Sequence, residues 1–262
     1  MDLTARIRRR QRSGGGDRLV VDAEAISPVA HVAEPTARGS ILERLLDHLD
    51  PVFAGDLPPD AYVWGPQGAG KSAVVTALFD RLDAELSPSP SAIYTTTRPQ
   101  ADGTPAFAYV DARRASSSFA LYHAILDATV ETSVPGRGVG TEELRSRLRD
   151  ALATPDAGAV VAVDHVGEPE TLDLSALREA LDPVGPALAW VAVGREDPAA
   201  VGDAALPPER IEVPAYRRHA LVDVLTGRAS AGLADRALGH DQIRALADWA
   251  DGDAHDALAA LL

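Results

Sequence analysis

The sequence predicts an α/β sandwich, a parallel sheet with helices on both faces, followed by a small all-helical unit. Three observations predict it. Short β-rich apolar runs alternate with helical periodicity as far as Val213. Two of those runs, 159–163 and 189–193, are apolar at every position, as in strands buried on both faces of a sheet. Beyond Pro214 only helical periodicity remains. A chain of 262 residues suits one α/β domain with an appendage, or two modest domains, and 46% apolar residues suffice for a core.

Residues 1–16 are basic and polar and end in Ser13-Gly14-Gly15-Gly16, a composition that cannot bury a core. They read as a disordered tail whose five arginines, Arg6, Arg8, Arg9, Arg10 and Arg12, are solvated or touch phosphates. The α/β base is expected over 17–214 and the helical lid over 215–262. An extended piece at 18–22 precedes a helix over 40–52, with Ile41, Leu42, Leu45, Leu46 and Leu49 on one stripe. A strand at 61–64 leads through a Gly-rich turn into a helix from Lys71 to about Leu86, broken by Ser87-Pro88-Ser89-Pro90. Strands follow at 93–97 and 107–110, with a turn at 101–104 between them. Helices are expected over 119–130, over 141–152 with Thr141 as N-cap, and over 174–181. Ile211-Glu212-Val213 is the last strand, and Asp253 caps a final helix.

Twenty-five basic residues against 39 acidic ones leave a net charge of −14, and Lys71 is the single lysine. Acid-rich, lysine-poor composition fits a protein kept soluble in concentrated salt, where the Debye length shrinks to about 3 Å and carboxylate crowding costs little. A GC-rich genome also trades Lys for Arg, but it leaves the acid excess unexplained. The overall field repels DNA, so a nucleic-acid contact would be weak, local or indirect. The absence of cysteine excludes disulfides and thiolate chemistry. The seven histidines show no metal-ligand spacing. No apolar run nears the ~20 residues of a membrane span, and no export signal opens the chain. A cytoplasmic protein is expected.

Residues 65–72, Gly65-Pro66-Gln67-Gly68-Ala69-Gly70-Lys71-Ser72, carry the P-loop pattern between an expected strand and an expected helix. The glycines let backbone N–H groups curl around phosphate, and the helix N-terminus adds its positive dipole end. Lys71 supplies a compact mobile charge for the β- and γ-phosphates, and Ser72 a hydroxyl for Mg²⁺. The nucleotide-binding stretch extends to Ala73. A metal-side acid is expected at the tip of a neighbouring strand, and Asp164 at the end of Val160-Val161-Ala162-Val163 fits it. ATP or ADP with Mg²⁺ is the expected ligand. A small-molecule kinase would need an acceptor pocket of paired acids or arginines, which the sequence does not offer. Trp64 and Trp190 read as core or rim aromatics.

The P-loop, taken in order with Val21-Asp22, Ala25-Ile26-Ser27-Pro28, Tyr109-Val110-Asp111 and Gly140-Thr141-Glu142-Glu143-Leu144, resembles the archaeal origin-recognition/cell-division-control family of AAA+ replication initiators. Ile211-Glu212-Val213-Pro214-Ala215-Tyr216 resembles that family's strand-to-lid junction, and Gly252-Asp253-Ala254 its final lid helix. The resemblance covers about residues 18–262. It implies a five-stranded sheet, nucleotide between base and lid, and protein partners in a replication or related assembly. It also implies that Val29, Ala30 and His31 flank the adenine. Tyr216 has two readings, an adenine neighbour by resemblance or a hinge packing residue. The winged helix of the family is missing, so a short form is expected.

The departures from the family fall on hydrolysis. His165 stands where the family has a water-polarising Glu, and a lost base costs about 10²–10⁴ in rate. Glu168 is a nearby substitute, expected as a solvated loop residue. Gly194-Arg195-Glu196 replaces the polar sensor-1 strand end, and His255 the sensor-2 Arg. No arginine finger precedes the last strand; Arg210 reads as a strand-end charge. Such a finger is worth about 10³–10⁵ in rate. Catalytic roles, where present, fall on Lys71, Asp164 and His165. The expectation is a regulatory nucleotide-binding protein with little or no turnover. The alternative is an active ATPase completed by a partner subunit, with His165 or Glu168 acting on water.

Overall fold

In the computed structural model, residues 19–86, 105–129, 138–153 and 158–262 are described. The basic tail, the Ser-Pro break, the strand at 93–97 and the turn at 101–104 lie outside them. The described residues form two compact units.

The larger unit, Arg38–Gly65 with Lys71–Val213, is the α/β base. Its elements in order are α2 (Gly39–Leu49), β1 (Ala61–Trp64), α3 (Lys71–Leu86), β2 (Ala106–Asp111), α4 (Ser118–Thr129), α5 (Thr141–Leu152), β3 (Ala159–Val166), α6 (Leu174–Leu181), β4 (Leu188–Gly194) and β5 (Glu209–Glu212), after α1 (Ala23–Ile26) of the other unit. All five strands are parallel in the order β2-β3-β4-β1-β5. Helices cover both faces, and β4 and the Ala159–Val163 part of β3 are therefore apolar throughout. On one face Ala108, Val110, Val161, Val163, Trp190 and Ala192 pack with the buried leucines of α4, α5 and α6. On the other, Phe79 of α3 meets Phe107 edge to face at 5.3 Å.

Two local expectations are corrected. Gly140, not Thr141, is the N-cap of α5, with Thr141 its first helical residue. Helix α2 stops at Leu49, short of Val52, because Pro51 turns the chain into a 3₁₀ segment at Asp50–Ala54.

The smaller unit joins residues 19–37 and the loop Pro66–Gly70 to Pro214–Leu262. Its helices are α1, α7 (Arg218–Gly232), α8 (His240–Trp249) and α9 (Ala254–Ala259). Ile26 is fully buried among Leu221, Leu225 and Ala229, and Val20 bridges to Leu233. The expected boundary at 214–215 therefore omits α1, whose single turn leaves no periodicity to read. Asp253 caps α9 by accepting from the Asp256 N–H at 3.0 Å, as expected. No helix among the described residues is long and apolar enough to cross a membrane.

Candidate nucleotide site

The P-loop leaves β1 at Gly65 and enters α3 at Lys71. Gly65 has φ +151° and its Cα faces Val213, so a methyl there would overlap the Val213 carbonyl. Gly68 and Gly70 also have positive φ, +64° and +77°. These conformations turn the backbone as a phosphate cradle requires. Lys71, only 8% exposed, donates from Nζ to the Gly65 carbonyl at 2.8 Å. That bond holds the ammonium beside the first residue of the loop. Ser72 and Ala73 follow half-buried in the first turn of the 16-residue α3, where the helix dipole favours negative charge.

Asp164 ends the apolar part of β3 and is 2% exposed. Its Oδ2 accepts the Tyr109 phenol at 2.7 Å, and its Oδ1 accepts the His165 backbone N–H at 2.7 Å. The strand carrying it is not the immediate neighbour of β1, as the sequence reading expected: β4 lies between them. The chain crosses from β1 to the far edge at β2 and returns through β3 to β4. The two tips still meet the same edge of the sheet, since Gly194 of β4 is level with both Trp64 and Val166. A hydroxyl and a carboxylate are hard oxygen donors of the kind Mg²⁺ takes alongside phosphate oxygens, so Ser72 and Asp164 suit a nucleotide-borne magnesium.

His165 has φ +63°, at the point where the β3–β4 register shifts between Val163 and Val166. Left-handed backbone on a non-glycine costs about 1–3 kcal/mol and is held by its surroundings. Here the loop is closed by Thr171, whose hydroxyl donates to the carbonyls of His165 (2.9 Å) and Glu168 (2.8 Å). The imidazole faces acids on both sides, with Nδ1 3.1 Å from Glu168 Oε1 and Nε2 3.7 Å from Asp164 Oδ2. Glu168 is not a solvated loop residue: its side chain is 14% exposed and pairs with Arg195 at 2.8 Å. The closing Thr171 contacts, which no spacing announces, tuck it inward. Arg195 directly follows β4, so the departure from the sensor-1 pattern is an ion pair.

Asp111, level with Asp164 across β2 and β3, is chelated by Arg113 through Nε (3.1 Å) and Nη2 (3.2 Å). Burial pushes this carboxyl up, but the Arg113 hydrogen bonds and charge, with the charge of His165, outweigh it and leave it below its ordinary value. Burial first, then the Asp164 charge, pushes the Tyr109 phenol far above its ordinary range, so it remains a donor. Sequence reading assigned Tyr109, Asp111 and Arg113 no role at this site. The signal for Tyr109 and Asp111 is a period-2 pattern on a strand that ends level with Asp164, and Arg113 lies in the turn just beyond it.

In the helical unit the Tyr216 hydroxyl lies 2.7 Å from where a methyl on Gly70 would project, and Tyr216 is 8% exposed. The Ala254 N–H donates to the Gly68 carbonyl at 3.1 Å, and the Asp253 carboxylate packs on Gly68. Val29 is 70% exposed. His255 is half-buried on α9, and Arg210 is exposed on β5.

A five-stranded parallel αβα sandwich with a glycine-rich loop after its first strand is the fold of the AAA+ P-loop NTPases. Residues 34–191 match the AAA ATPase domain, and the chain belongs to that family. It is similar to ORC1-type DNA replication protein 3 of Haloarcula marismortui, at 25% identity over 232 residues, 82% of this chain and 57% of that protein. Its fold is similar to that of the Aeropyrum pernix ORC1 protein solved in complex with DNA, with a TM-score of 0.71 at 21% identity, over 93% of this chain and 63% of that one. It is also similar to the ORC2 protein of the same organism solved in ADPNP-ADP complexes, with a TM-score of 0.67 at 18% identity, over 93% and 66%. The chain thus spans between about half and two thirds of the length of these proteins.

Proposed function

We propose that this chain is a nucleotide-binding regulatory AAA+ protein, related to archaeal replication initiators, that holds ATP or ADP with Mg²⁺ and turns it over at most slowly. The observation that carries the reading is the loop itself: the single lysine of the chain, buried at a loop of positive-φ glycines, with its Nζ donating to the Gly65 carbonyl. In this reading Gly65–Ala73 take the phosphates, Ser72 and Asp164 the metal, and Val29 and Tyr216 the adenine side.

The strand tips support slow turnover. His165 occupies the base position with its two ring nitrogens facing Asp164 and Glu168, and Glu168 is ion-paired with Arg195. The departure from a water-polarising Glu at this position supports slow turnover, since a positioned base is worth about 10²–10⁴ in rate. Phosphate binding does not depend on these groups, because backbone amides and Lys71 act on the ground state. Action then passes through protein partners in a replication or related assembly. With a net charge of −14, DNA contact is weak or indirect.

The test is magnesium-dependent hydrolysis by the full chain in molar KCl, with Lys71→Ala as control. Phosphate release at background, in protein that retains nucleotide, is expected. Release above background that Lys71→Ala abolishes overturns the slow-turnover reading and favours the active ATPase completed by a partner.

A further inference from the structure

Tyr109 sits at the site for a reason written in two strands. In β2, Phe107, Tyr109 and Asp111 share one face, and the β2–β3 register sets Tyr109 beside Ala162 and Asp111 beside Asp164. Tyr109's neighbour in register is therefore a small residue, and the residue diagonal to it, two positions on, is Asp164. The phenol spans that diagonal and donates to Asp164 Oδ2 at 2.7 Å. The second oxygen, Oδ1, takes the His165 N–H at 2.7 Å, so one oxygen of the buried carboxylate is held from β2 and the other from its own strand β3. The terminal torsion of an aspartate is broad and nearly two-fold, so without such donors the plane of the group is free to turn. Each oxygen keeps a further lone pair for a metal or its water.

We propose that Tyr109 is the positioning residue of the metal-side carboxylate: its hydroxyl fixes the plane of Asp164 and so sets how much Mg²⁺ the bound nucleotide requires. This rests on the nucleotide reading above. Outer donors to metal-ligating groups are worth about 10–100-fold in metal affinity. The ring of Tyr109 fills space that phenylalanine also fills, and its hydroxyl also meets the Thr76 side chain of α3.

The test uses the full chain in molar KCl and ADP carrying an N-methylanthraniloyl fluorophore, titrated with MgCl₂ and, separately, in EDTA. Tyr109→Phe is expected to match the wild type in EDTA and to need about tenfold more Mg²⁺ at the midpoint. On an Asp164→Asn background Tyr109→Phe is expected to add no further shift. A Tyr109→Phe midpoint equal to the wild type, in protein that melts cooperatively, overturns the inference, as does an equal shift on the Asp164→Asn background. Tyr109→Met, apolar and without a hydroxyl, takes the same test if Tyr109→Phe does not melt cooperatively. Wild-type protein with no saturable uptake of the probe overturns the nucleotide reading and this inference with it. Uptake that responds to magnesium identically in wild type and variant overturns this inference alone.

Discussion

Gly65 shows how little freedom the phosphate loop has. Its φ of +151° is rare for an L side chain, and the Val213 carbonyl occupies the space of a methyl group. Gly65→Ala is therefore expected to lower unfolding stability by about 2–3 kcal/mol, read from the denaturant midpoint. An unchanged midpoint would mean that the loop relaxes freely, contrary to the packing described. Single residues were legible in the sequence where their chemistry is tied to local spacing. Lys71 and Ser72 follow from the loop pattern, and Asp164 from the end of an apolar strand. Glu168 was not legible, because its inward turn depends on Thr171 bonding back to two carbonyls. Tyr109 was not either, since its partner is diagonal across a neighbouring strand that only the register defines.

Helix α2 carries its own pH response. Its stripe Ile41, Leu45 and Leu49 is buried, and His48, next to the last of these, is carried half inward. Burial lowers the His48 pKa below 6.5, and the charge of Glu209 and a hydrogen bond with the Pro59 backbone oppose that without cancelling it. The folded value lies below the unfolded one, so the native state binds fewer protons between the two. Stability from this residue is complete above about pH 6.5 and is lost as the pH falls through that window. The wild-type melting temperature should therefore fall on acidification below about pH 6.5. His48→Gln should fall less over the same range, and parallel curves would exclude His48 as the source. At this scale the sequence served well: the bounds of α3 and α6 coincide with the periodic runs that predict them, and β1 with its apolar run. The failures have local causes, the Pro51 stop in α2, the one-residue shift of the α5 cap, and a four-residue α1 too short for periodicity.

Strand order is a property of the whole chain, and periodicity does not contain it. Alternating strands and helices predicted a parallel sheet, whereas the insertion of β4 between β1 and β3 depends on which edge each crossover reaches. The grouping of residues 19–37 with the C-terminal helices likewise depends on Ile26 meeting α7, a contact about two hundred residues long in sequence. Net charge also acts at this scale. At −14 the chain repels itself in dilute buffer and is screened in concentrated salt, so the central measurement belongs in molar KCl. That measurement is titration calorimetry of the folded protein with magnesium and ADP, alongside Lys71→Ala. The account predicts saturable binding of one nucleotide per chain, lost or severely weakened in Lys71→Ala. Absence of saturable heat in wild-type protein that melts cooperatively, or equal binding by Lys71→Ala, would contradict it.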